Sequence, residues 1–206
     1  MKKAVSLALA MALSLGLTGC SGSSIFSNYR EIENLEIIRT IGIDSTPGGV
    51  DVTACTGLTG TDSGPRIYEK QAASIGSALN DLQKLPLGKV ALLSHVENLL
   101  IGQDQAEDGI GSFLDYMERY SETRLQVTPF VVRGSAQDLI VGATGQSTSC
   151  TDILGSIREQ AAYVGSGWPY TCRDVAISLA RRGCALILAV EGVKDKKLFE
   201  ERGEMD

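Results

Sequence analysis

Apolar and β-branched side chains crowd Ile37 to Ile43, which predicts a strand. Pro47-Gly48-Gly49 predicts a turn, and Val50 to Leu58 alternates as the hairpin partner. Thr59 to Pro65 reads as another turn, and a short strand at Arg66 to Glu69 completes a meander. The period then lengthens. Ile75, Leu79 and Leu82 recur at helical spacing, with Ala72 and Ala78 on the same side. Gly88 punctuates, and Val90 to Leu93 with Val96 to Ile101 form an apolar segment interrupted by Ser94-His95. Such a run suits a strand covered on both faces. Ile110, Phe113, Leu114 and Met117 make a second helical stripe, with Asp115, Glu118 and Arg119 outside it. Arg124 to Val132 reads as a strand whose Pro129 predicts a sheet edge or a bulge. Ser135 and Asp138 have capping-box spacing for a short helix carrying Ala136, Leu139 and Ile140.

Gly142 to Ser149 is a small-residue loop, read as a flexible linker, with an anion cradle of backbone amides as the alternative. Thr151 is placed to cap a helix bearing Ile153, Leu154, Ile157, Ala161 and Val164. Gly165 to Tyr170 breaks the chain. Thr171 and Asp174 open a further helix, carrying Val175 and Leu179, that stops at Gly183. Cys184 to Val190 is a last apolar strand, and beyond Gly192 the chain is highly charged. Hairpin strands followed by strand–helix alternation predict an α/β (α+β) fold: a mixed β-sheet with an N-terminal hairpin or meander and helices packed on it.

The N-terminal segment follows a different pattern. Lys2 and Lys3 precede an apolar run from Ala4 to Leu17, too short to span a hydrocarbon core of about 30 Å comfortably. Leu17-Thr18-Gly19-Cys20 resembles the bacterial lipobox. The resemblance implies that Cys20 receives a diacylglyceryl thioether, with palmitate-class acyl chains, and becomes the first mature residue. An ordinary signal peptide cut near Ala8 or Ala10 is the alternative, but it would leave Leu13 to Leu17 in water. The expected organisation is a signal peptide over 1–19, an anchor and tether over 20–28, a folded domain over 29–192 and a charged tail over 193–206.

Composition narrows the function classes. The formal charge of −6 becomes −8 once Lys2 and Lys3 are removed, and no basic cluster survives. That disfavours nucleic acid as a partner and adhesion of the protein body to anionic lipid. Beyond Cys20 the chain holds Cys55, Cys150, Cys172 and Cys184. Four thiols allow three pairings of two disulfides. Cys150 and Cys172 lie beside loops and form the candidate pair, whereas Cys55 and Cys184, in apolar runs, read as buried thiols. No C-x-x-C occurs and His95 is the only histidine, so neither a closed zinc site nor any other cofactor is expected.

Three stretches carry a further resemblance. Tyr29-Arg30-Glu31-Ile32-Glu33-Asn34-Leu35 runs into Ile41-Gly42-Ile43-Asp44. Leu93-Ser94-His95-Val96-Glu97-Asn98-Leu99-Leu100-Ile101-Gly102 follows. The third extends from Gly109-Ile110 through Asp115-Tyr116 and Arg124-Leu125 to Val131-Val132-Arg133-Gly134-Ser135-Ala136-Gln137-Asp138-Leu139-Ile140. In order and spacing, over residues 20 to about 145, they resemble the Ger(x)C family of spore germination lipoproteins. The chain departs from that family in having Ser21-Gly22-Ser23 after the cysteine, and in covering the first domain and little beyond. The resemblance implies a C subunit of a nutrient germinant receptor, lipid-anchored on the outer face of the spore's inner membrane. Its partners would be a multi-spanning A subunit and a transporter-like B subunit, and no reaction is implied.

No G-x-S-x-G elbow, P-loop or G-x-G-x-x-G occurs, and no catalytic residue is assigned. Ser94 and His95, read as neighbours on a strand, would point to opposite faces, so His95 reads as structural. Glu97 reads as a solvated carboxylate or as a cross-sheet partner. Arg30 and Glu31 are either a local ion pair or a docking contact. Trp168, the only tryptophan, either plugs the core or joins a contact surface. The second functional reading is a solute-binding lipoprotein that itself captures a small nutrient.

Overall fold

The computed structural model describes residues 34–58, 64–120, 123–145, 148–164 and 169–191. Cys20, Arg30, Glu31 and Trp168 lie outside them, as does the charged tail. Among the described residues no helix is long and apolar enough to cross a membrane.

The strand β1 (Leu35–Thr46) is the axis of an α/β fold. It turns at Pro47-Gly48 into β2 (Gly49–Thr56), which pairs with it antiparallel, and β3 (Ile67–Ala72) extends the meander. On the other side the pattern becomes parallel. β4 (Val90–Leu92) pairs with the first residues of β1 and β5 (Asn98–Gly102) with its middle. β6 (Thr128–Arg133) pairs with β5, and β7 (Leu188–Glu191) pairs with β6. The sheet order is β3-β2-β1-β5-β6-β7, with β4 beside β1. The sheet is mixed, as the hydrophobic pattern predicts.

The single strand expected across Ser94-His95 is in fact two. A 3-10 turn over Leu93–His95 separates β4 from β5, opposite an irregularity in β1 at Arg39. The Arg39 carbonyl accepts from the Glu97 amide at 2.8 Å, and the Arg39 guanidinium meets the Glu97 carboxylate at 2.5 Å. Glu97 is therefore a cross-sheet partner. His95 is exposed on the turn, so the two-face argument for Ser94 and His95 does not apply.

Pro129 sits inside β6, an interior strand and not an edge. The amide of Thr128 points towards β5, donating to the Glu97 carbonyl at 2.9 Å. In a regular strand the next amide points the other way, towards β7, whose pairing starts only at Phe130. The missing N–H of Pro129 therefore interrupts no ladder bond.

Side chains alternate across the sheet, and each face has its own core. On one face Ile41, Ile43, Leu99 and Ile101 pack under α1 (Ile75–Leu82), α3 (Gly111–Arg119) and α6 (Cys172–Arg182). On the other, Leu100, Phe130 and Val132 pack under α4 (Ala136–Ala143) and α5 (Cys150–Val164). A short α2 (Gln103–Asp108), not foreseen from the sequence, follows β5 directly. The α6 cap is as expected: Thr171 and Asp174 form a reciprocal capping box, and Gly183 closes the helix with φ of 69°. The α5 cap is not. Ser149 accepts from the Asp152 amide at 3.2 Å, while Thr151 is buried and faces the sheet.

Candidate functional site

The C-terminal ends of β1, β5 and β6 meet at Asp44. In open α/β sheets this is the end where ligands gather. Here the place is taken by a helix terminus. Asp44 Oδ1 accepts from the Ala136 amide at 2.8 Å, and Oδ2 accepts from the Gln137 amide at 2.9 Å and the Ser135 hydroxyl at 3.0 Å. A carboxylate there satisfies two orphan donors of α4 and lies at the positive end of its dipole. Ser135 also accepts from the Asp138 amide at 3.3 Å, one half of the capping box predicted from Ser135 and Asp138, while its hydroxyl donates to a residue on a distant strand.

Two glycines make room for this arrangement. A Cβ on Gly102 would lie 2.0 Å from Asp44 Oδ1, and one on Gly42 would lie 2.8 Å from Ile140 Cδ1 and 3.1 Å from Ala136 Cβ. Gly134, at φ of 111°, turns the chain from β6 into α4 and accepts from the Gln103 amide at 2.9 Å. Ser45 donates to Asp108 Oδ2 at 2.6 Å and ties in the far end of α2. The Ile41–Asp44, Ile101-Gly102 and Arg133–Gln137 stretches, separated in the chain, thus become one knot. Both Asp44 oxygens are engaged by donors. The site is built to hold elements together, and a proton-transfer role would have to break the cap.

At the opposite end of β1 a second polar cluster closes the meander. Glu36, only 8% exposed, takes both Arg66, just before β3, and Lys89, just before β4. Hydrogen bonding to Tyr68, followed by the charge of Glu36, raises the Arg66 pKa above its ordinary value.

A third cluster lies under α5. Cys55, Thr40, Asn98 and Thr128 form one register row across β2, β1, β5 and β6, and all four are buried. Thr40 Oγ1 meets Thr151 Oγ1 at 2.9 Å. Cys55 Sγ donates to the Thr56 carbonyl at 3.2 Å and lies 3.8 Å from Thr144 Oγ1.

The cysteine assignments from the sequence need correction. Cys55, Cys150, Cys172 and Cys184 all stand as free thiols, and Cys150 and Cys172 lie in different cores on opposite faces of the sheet, where the expected pair cannot form. Cys55 is buried as expected, but Cys184 is exposed, because β7 starts only at Leu188. Burial pushes the Cys172 thiol up to about 12; burial, with a lesser contribution from Cys55, does the same for Cys150. Among the described residues no group of three or more His, Cys, Asp and Glu is placed to hold a metal ion.

The family profile described as "Spore germination protein N-terminal domain" matches residues 28–191, nearly the whole folded body. The chain belongs to the spore germination protein family. It is also similar to "Putative spore germination protein YfkR" of Bacillus subtilis (strain 168), with 29% identity over 112 residues. That match covers 54% of this chain and 27% of the relative, so the matched stretch spans about a quarter of that protein's length. No solved structure matches.

The sequence-derived contact candidates Arg30, Glu31 and Trp168 are not placed by the structure. Asp44 and Gly102 are the residues that sequence reasoning passed over. Their signal was an acid and a glycine each closing an apolar strand, ahead of Gly134-Ser135.

Proposed function

We propose that this chain is a lipid-anchored, non-catalytic subunit of a nutrient germinant receptor, held on the outer face of the membrane through diacylglyceryl-Cys20. It acts by assembly and coupling with the membrane-embedded A and B subunits. The observation that carries the reading is the spore germination profile over residues 28–191, preceded by the lipobox-like Leu17-Thr18-Gly19-Cys20. The sheet's strand-end carboxylate supports the non-catalytic part, because its donors all come from the protein's own α4.

The mechanism is confinement. Two acyl chains hold a folded domain stably at the surface where one chain would not. Tethering then raises its effective concentration near membrane partners, so that modest contacts suffice. The solute-binding alternative finds less support. The groove between α1 and α3, about 490 Å³, runs past the exposed pair Asp115 and Arg119 and is not an enclosed apolar pocket. The test is Cys20→Ala in the sporulating host. Nutrient-triggered germination should be lost while the protein is still made. Full germination with an unlipidated protein would refute tethering.

A further inference from the structure

The two thiols that the fold brings together are Cys55 and Cys150, far apart in sequence and paired by no sequence signal. Three observations place them in the same part of the core. Cys55 on β2 is directly opposite Thr40 on β1, and side chains directly opposite in an antiparallel pair share a face with Cβ atoms about 5 Å apart. Thr40 is in hydrogen-bond contact, at 2.9 Å, with Thr151, the residue next to Cys150. On its other side Cys55 Sγ lies 3.8 Å from Thr144, where the chain leaves α4 towards Cys150 at the start of α5. Both sulfurs belong to one apolar cluster, with the residues 0% and 1% exposed, while Cys172 lies beyond the sheet.

We infer that Cys55 and Cys150 are the disulfide pair of this domain, a covalent modification that staples the start of α5 to β2 when the chain folds in the presence of a disulfide oxidant. The chemistry is thiol–disulfide exchange. One cysteine thiolate attacks a sulfur of a small disulfide such as glutathione disulfide, forming a mixed disulfide and releasing one glutathione thiolate. The second cysteine thiolate attacks the protein sulfur of that mixed disulfide, closing the Cys55–Cys150 bond and releasing a second glutathione. The two protein thiols lose two protons and two electrons, and the electrons reduce the oxidant. The exchange belongs to folding, because both sulfurs are out of reach of a bulky oxidant in the finished core and buried thiols are inert.

The inference stands apart from the proposed membrane role, because the assay supplies the oxidant. The purified full chain is unfolded, refolded in glutathione and glutathione disulfide, blocked with iodoacetamide in denaturant and digested with trypsin. Cleavage after arginine puts Cys55 in Thr40–Arg66, Cys150 in Gly134–Arg158 and Cys172 in Glu159–Arg173. Mass spectrometry should find Thr40–Arg66 linked to Gly134–Arg158, a link that dithiothreitol removes, with Cys172 and Cys184 alkylated. The Cys172→Ser, Cys184→Ser double variant should keep the link. Alkylation of both Cys55 and Cys150 in the wild-type chain, or a link between Gly134–Arg158 and Glu159–Arg173, would overturn the assignment.

Discussion

Replacing Asp44 by Ala removes an acceptor for two amides and a hydroxyl at the start of α4. Losing a side-chain cap costs about 1 kcal/mol, and the interaction of a charge with a helix terminus adds about 0.3–1 kcal/mol. Ser135 still caps Asp138, and water reaches the half-buried site, so not every bond counts in full. The expected loss is about 1.5–2 kcal/mol, or about 3–8 °C in Tm for a domain of this size. Gly102→Ala should cost about as much by another route, since overpacking typically costs about 1–3 kcal/mol. Its Cβ would lie 2.0 Å from Oδ1 of a carboxylate that cannot withdraw without releasing α4. In the double variant the carboxylate is gone, and the nearest remaining neighbour is the Gly134 carbonyl at 3.3 Å. Urea unfolding followed by circular dichroism should therefore show strong sub-additivity, with the second substitution costing little after the first. Additive losses, or an Asp44→Ala loss below about 0.5 kcal/mol, would refute the knot as the tie between sheet and α4.

Three further expectations follow from the geometry. Glu36→Gln, which weakens the links to Arg66 and Lys89, should destabilise by about 1–2 kcal/mol, and the difference should shrink in high salt; equal urea midpoints would contradict it. Hydrogen bonds from the Thr171 side chain and backbone hold the Asp174 pKa below the ordinary carboxylate value. The depressed folded-state pKa means that the capping contribution is present above the unfolded value and fades as pH falls through the folded one; Thr171→Val should move the carboxyl NMR titration upward, and an unmoved titration would contradict it. In the reduced native protein iodoacetamide should modify exposed Cys184 first, with Cys150 and Cys172 labelled only on unfolding; equal labelling rates would contradict their burial.

The fold was largely legible because apolar periodicity reports which face of an element is buried. Ile37 to Ile43, Ile75 to Leu82 and Ile110 to Met117 all declare their type this way. The misreadings share a cause, which is that pairing across the sheet is not written locally. Pro129 looks like an edge residue until the late start of β7 is known. Ser94-His95 looks like a strand until Arg39 requires a turn opposite it. Thr151 has the residue type of a cap, but the cap is Ser149, and Thr151 instead turns to Thr40. The same limit applied to the sites. Cys150 in one cluster with Cys55, and Asp44 bonded to Ser135, join positions over 90 residues apart, and only topology brings them together.

The most direct test of the proposed role is purification of the full-length, lipidated protein from membranes in mild detergent, with the co-purifying chains identified by mass. The account predicts recovery of a multi-spanning receptor subunit, lost on Cys20→Ala. A lipidated domain that leaves the membrane alone would contradict it and bring solute capture forward.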